Sequence, residues 1–83
     1  MRNLNRFTIF NDLAEPLSLN IEPEGVFFPL ASGEEVTVVD EFTSYPVMIK
    51  LSQLEGGEFV ASIWPGDGRI RVEKDGVDVF DMM

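Results

Sequence analysis

The chain has 83 residues, 45% of them hydrophobic and seven of them phenylalanine, enough apolar material for one core and unlike a disordered composition. Fifteen acidic residues against six basic ones give a formal net charge of −9, which repels phosphate backbones and anionic lipid headgroups and so argues against nucleic acid and membrane as partners. The absence of both cysteine and histidine excludes disulfides, thiolate metal sites, cysteine nucleophiles and serine–histidine catalysis.

The opening MRNLNRF is polar and basic, but no long apolar run follows it, so no signal peptide is expected. Nothing approaches the ~20 apolar residues that span a bilayer. With the lack of cysteine, this fits a soluble, cytoplasmic protein. Residues 1–5 read as a flexible lead to a single domain over 1–83. From Arg6 to Asn11 the side chains alternate as in a strand, and Asn11 to Pro16 is a connection too rich in turn formers for a helix.

Three apolar runs follow between Leu17 and Asp40, separated by two turns, and read as a β-meander. Leu17, Leu19 and Ile21 alternate with Ser18 and Asn20, the period-two mark of a half-buried strand. Glu22-Pro23-Glu24-Gly25 turns the chain into Val26 to Leu30, and Ser32-Gly33-Glu34 turns it again into the β-branched run Val36 to Val39. Pro29 lacks the N–H of a central ladder position, so its strand is expected at an edge or at a bulge.

Glu41 to Tyr45 reads as a loop ending at Pro46. Val47 to Leu51 is the next strand, Gly56-Gly57 suits a tight hairpin, and Phe59 to Trp64 returns. After the Pro65-Gly66-Asp67-Gly68 turn come a strand from Arg69 to Glu73, an Asp75-Gly76 hairpin and a closing strand from Val77 to Phe80. About seven to eight short strands, spaced ~8 to 12 residues apart and without a convincing helix, predict an all-β fold: a small antiparallel β-sandwich or a partly open barrel. The expected inward set contains Phe7, Leu19, Ile21, Val36, Val38, Ile49, Ile63 and Val72.

Carboxylates are the remaining catalytic candidates. The pairs Glu22/Glu24 and Glu34/Glu35 have the chemistry for acid–base work on a glycosidic bond, but they lie in tight turns of a domain too small for a deep cleft. Asp67, Asp75 and Asp78 lack the spacing of a calcium loop, and Gly66-Asp67-Gly68 lacks the further glycine and the helix of a dinucleotide site. No enzyme activity, metal or cofactor is expected.

More informative is the second face of the strands. With the inward set committed to the core, Phe10, Met48, Val60 and Trp64 point the other way, and Phe27 opposes Val26 and Phe28. So much apolar area is either covered by a loop such as Phe42 to Tyr45 or meets another molecule. Phe10, Phe27, Met48, Val60 and Trp64 are therefore the candidate interface or ligand platform, with a second copy or another protein as partner. The alternative use is a carbohydrate platform, in which Trp64 with Tyr45 or Phe42 covers a sugar ring and Asp67 accepts hydrogen bonds from its hydroxyls.

The motifs Glu22-Pro23-Glu24-Gly25, Gly33-Glu34-Glu35-Val36 and Trp64-Pro65-Gly66, with Asp75-Gly76 near the end, resemble those of a group of short bacterial all-β proteins without an assigned function. The resemblance spans most of the chain and rests on turns and strand ends. It implies the fold and transfers no site.

Overall fold

The alternation that begins at Leu17 builds the core. Leu17, Leu19 and Ile21 all point inward, and the last two are fully buried. Repeated along the chain, the pattern yields β1 (Asn3–Phe10), β2 (Leu17–Ile21), β3 (Val26–Leu30), β4 (Glu35–Phe42), β5 (Met48–Gln53), β6 (Phe59–Trp64), β7 (Arg69–Lys74) and β8 (Val77–Asp78), followed by a 3₁₀ turn, Val79–Met82. The computed structural model describes residues 2–82. Two four-stranded sheets form: sheet A in the order β1-β4-β7-β8 and sheet B in the order β3-β2-β6-β5. They pack as a sandwich and do not close into a barrel.

The core lies between the sheets. Leu19, Ile21, Leu30 and Ile63 from sheet B meet Val36, Val38 and Val72 from sheet A, all at most 1% exposed. Each such side chain contributes roughly 1.5–3 kcal/mol when taken from water. The other two members of the expected inward set, Phe7 and Ile49, face the same interior but are only half-buried. Pro29 lies in β3, which is an edge strand, as its missing N–H requires.

Several strand boundaries and one direction differ from the sequence reading. β1 starts at Asn3, so residues 3–5 are not a flexible lead: their backbones pair with Asp40 to Phe42 although their side chains are exposed. β4 continues through Phe42, into the expected loop, for the same reason. β5 begins at Met48 and runs on to Gln53 because its residues pair in register with β6 as far as Phe59. The last strand ends at Asp78, whose Oδ1 accepts the N–H of Phe80 at 3.0 Å and bends the chain into the 3₁₀ turn. Finally, β2 and β6 pair parallel, while all the other pairs are antiparallel. They are the inner strands of two separate hairpins, β2–β3 and β5–β6, that lie side by side. No helix among the described residues is long and apolar enough to cross a membrane.

Candidate functional site

The outer face of sheet B is built from every second residue of its four strands. Met48 lies opposite Trp64 across the β5–β6 ladder, and the next rows are Lys50–Ser62–Asn20–Phe27 and Ser52–Val60–Ser18–Pro29. Four of the five candidate residues thus share this face. Met48 and Trp64 form an adjacent pair, 55% and 38% exposed; Val60 is half-buried near the centre, and Phe27, 59% exposed, stands at the β3 edge. Phe10 belongs to sheet A, so these residues do not form one continuous patch.

None of the four strands of sheet B contains an aspartate or a glutamate, in a chain with fifteen of them. The carboxylates gather in the turns and in sheet A. Lys50 is the one charged side chain in sheet B, and it projects from the outer face.

The segment from Thr43 to Tyr45 leaves this face open. Asp67 holds it at the end of the sandwich: Oδ1 accepts the N–H of Thr43 at 2.9 Å, Oδ2 accepts the N–H of Ser44 at 2.8 Å, and the N–H of Asp67 donates to the Tyr45 carbonyl at 3.0 Å. These N–H bonds, first to Thr43 and then to Ser44, hold the Asp67 carboxyl below the ordinary aspartate value. Each of its oxygens accepts one backbone N–H, so the carboxylate is fixed in place by the loop it holds while keeping further lone pairs at the surface.

A second apolar feature lies between the sheets. Along the side where β1 and β5 are the outermost strands, the sandwich is splayed into a cleft of about 530 Å³. Ile9 and Phe10 form one wall, Ile49, Leu51 and Phe59 the other, and Leu13 the end. Leu51 has the parity of core residues, opposite the buried Ala61, yet is 77% exposed where it lines the open cleft. On the far side, Val79 of the 3₁₀ turn beyond β8 is fully buried and joins the core.

The carboxylate pairs lie in different settings: Glu22 and Glu24 border a small hollow with Arg69 and Phe80, while Glu34 is held by its neighbours. Glu34 accepts the N–H of Ala31 at 2.8 Å and pairs with Lys74 Nζ at 3.0 Å, and both contacts lower its pKa. No group of three or more metal-ligating side chains occurs among the described residues. Two polar residues that the sequence reading passed over are fully buried. Asn11 binds three backbone groups: its Nδ2 donates to the carbonyls of Glu15 and Leu30 and its Oδ1 accepts the N–H of Leu13, each at 2.9 Å. Asp40 accepts the N–H of Val47 at 2.8 Å through Oδ2, while Oδ1 has no partner among the described residues. Its signal was present in the sequence, since Asp40 continues the inward parity of Val36 and Val38.

A scan of family models, a search of curated proteins and a search of solved structures each find no match to this chain.

Proposed function

We propose that the chain is a non-enzymatic protein-interaction module whose simplest partner is a second copy, paired through the outer face of sheet B. The observation that carries this reading is the absence of carboxylates from sheet B in so acidic a chain, together with the exposed Met48–Trp64 pair on its outer face. Depletion of charge with retention of aromatic and methionine side chains is the compositional mark of an interface centre. Phe27 and Val60 extend the surface, and Ser18, Asn20 and Ser62 supply neutral hydrogen-bonding groups between them.

Sedimentation over a salt series tests the reading. Two copies of charge −9 repel through the remainder of their surfaces, so added salt strengthens an apolar pairing by screening that repulsion. Trp64→Ser yields a folded monomer. A wild-type protein that stays monomeric at all salt concentrations overturns self-association, and a Trp64 emission shift on adding oligosaccharides would favour the carbohydrate platform.

A further inference from the structure

We propose that the free edge of β1 takes an extended segment of another protein as a further strand of sheet A, one that sets glutamate or aspartate beside Arg2 and Arg6 on the outer face and apolar side chains beside Phe7 and Ile9 on the inner face. This surface belongs to the other sheet from Met48 and Trp64, so it goes beyond self-association through that pair and does not depend on it.

β1 ends sheet A, and among the described residues no backbone group of Asn3–Phe10 has a hydrogen-bond partner outside that sheet. Such an edge is a template for strand addition, in which backbone bonds supply affinity and alternate side chains supply selectivity. The side chains of an added strand follow the parity of β1. Arg6 stands opposite the half-buried Val39, while Phe7 and Ile9 stand opposite the buried Val38 and Val36. Leu4 and Arg6 therefore lie on the outer face, and Arg2 joins them by donating to Glu41 of that face at 3.0 Å. Phe7 and Ile9 face the interior and are only half-buried, so the added strand meets a cationic row on one side and an apolar row on the other.

Charge selects the occupant. In a chain of net charge −9, all four arginines lie on this outer face: Arg6 and Arg71 flank Val39, Arg69 is the register partner of Glu41, and Arg2 stands at their end. Glu41 is the one carboxylate among the strand residues around them, whereas Glu35, Glu73 and Asp78 lie toward the other end of the face. Arg71 is held by Glu73 at 2.6 Å, but Arg6, nearest the edge, has no ion pair among the described residues. The acidic side chains of the partner therefore belong at its end beside Arg2 and Arg6, with neutral ones beside Thr8 and Phe10. A second copy offers no such strand. Its edge strands β3 and β5 carry no carboxylate, its β8 has two residues, and a second β1 brings more arginine to an arginine edge.

Two peptides test the edge, Thr-Val-Thr-Val-Glu-Val-Glu-Val-Glu for an antiparallel strand and its reverse for a parallel one. The Trp64→Ser protein is used beside wild type so that self-association does not confuse the result. Expected for one of the peptides are hydrogen-exchange protection gained at β1 amides and an affinity loss of about tenfold or more on Arg6→Glu, with binding to that variant restored when lysine replaces glutamate in the peptide. Lys50→Glu makes the same change in net charge on the other sheet and should leave the affinity within about twofold. Arg6 is exposed and carries no ion pair, so its variant keeps the wild-type circular dichroism spectrum and urea midpoint. Equal losses from Arg6→Glu and Lys50→Glu, or binding that leaves the β1 amides unprotected, would reduce the effect to general charge attraction and overturn the proposal. So would polyglutamate that binds as tightly as the valine-containing peptides, or a failure of both peptides to bind. Peptide binding by a wild-type protein that is monomeric at all salt concentrations would remove self-association and leave the β1 edge standing.

Discussion

Asp67 and its two flanking glycines fix the end of the sandwich where the chain crosses from sheet A to sheet B. A side chain on Gly68 would run into the carbonyl of Glu41 and the Cα of Phe42, and one on Gly66 into the carbonyls of Tyr45 and Pro46. These obstacles are backbone atoms that cannot swing aside. Gly68→Ala is therefore expected to cost about 1–3 kcal/mol in urea melts through overpacking alone. The carboxylate beside it gives a pH test. Because the Thr43 and Ser44 N–H groups lower its pKa in the folded state, its contribution to stability is present above the ordinary aspartate value of ~3.9 and is lost as pH falls through the lowered folded value. NMR titration should place the Asp67 midpoint below the ordinary aspartate value, with the Thr43 and Ser44 amides moving in step. The stability gap between wild type and Asp67→Asn should narrow over the same acid range. The Pro65-Gly66-Asp67-Gly68 turn was legible from its residues. The reason it needs two glycines was not, because the backbone they approach lies some twenty residues earlier and alternation carries no information about such crossings.

At the scale of elements, the β7–β8 hairpin shows a different use of glycine. Asp75 and Gly76 have φ of 52° and 80°, the two positive values of a primed turn whose twist matches the strands it joins. Nothing lies within 4 Å of the position a Gly76 side chain would take, so only backbone conformation penalises substitution there. Gly76→Val should destabilise by roughly 1–2 kcal/mol, while Gly76→Asn should cost less, since asparagine enters the left-handed region more readily. Equal losses for the two would point to a contact outside the turn. The hairpin is tied to the β3–β4 turn by Lys74 and Glu34, and each partner's pKa moves in the direction that favours its charge. That tie operates between the ordinary carboxylate and lysine ranges. It fades in acid as pH falls through the lowered Glu34 value and in base as pH rises through the raised Lys74 value. Strand existence was readable almost throughout, because it depends on local alternation and turn chemistry. Ladder partners were not: the parallel β2–β6 pair joins residues some forty positions apart, and Asn3–Asn5 are held by backbone bonds that leave no hydrophobic pattern.

Across the whole molecule, charge and packing are both unevenly distributed, and the two asymmetries meet at sheet B. Its freedom from carboxylates is written in LSLNI, VFFPL, MIKLSQ and FVASIW, yet it becomes a surface only once those four segments are known to lie side by side. The alternation likewise assigned Ile49 and Ile63 to one inward set. In the ladder they are direct partners, but Ile63 is fully buried while Ile49 is half-buried at the lip of the open cleft. This difference predicts unequal losses from the same truncation. Ile63→Ala leaves a cavity enclosed on every side and should cost about 2–5 kcal/mol, whereas at Ile49 part of the removed surface was already in water and the site opens to solvent, so about 1 kcal/mol is expected. Urea melts with a common m-value would check the comparison, since an unchanged slope shows that the denatured state is not responsible. Similar losses at the two positions would mean that the sheets close over Ile49 in solution. The cleft between β1 and β5 would then be shut, and Leu51, 77% exposed at its lip, would be covered with Ile49.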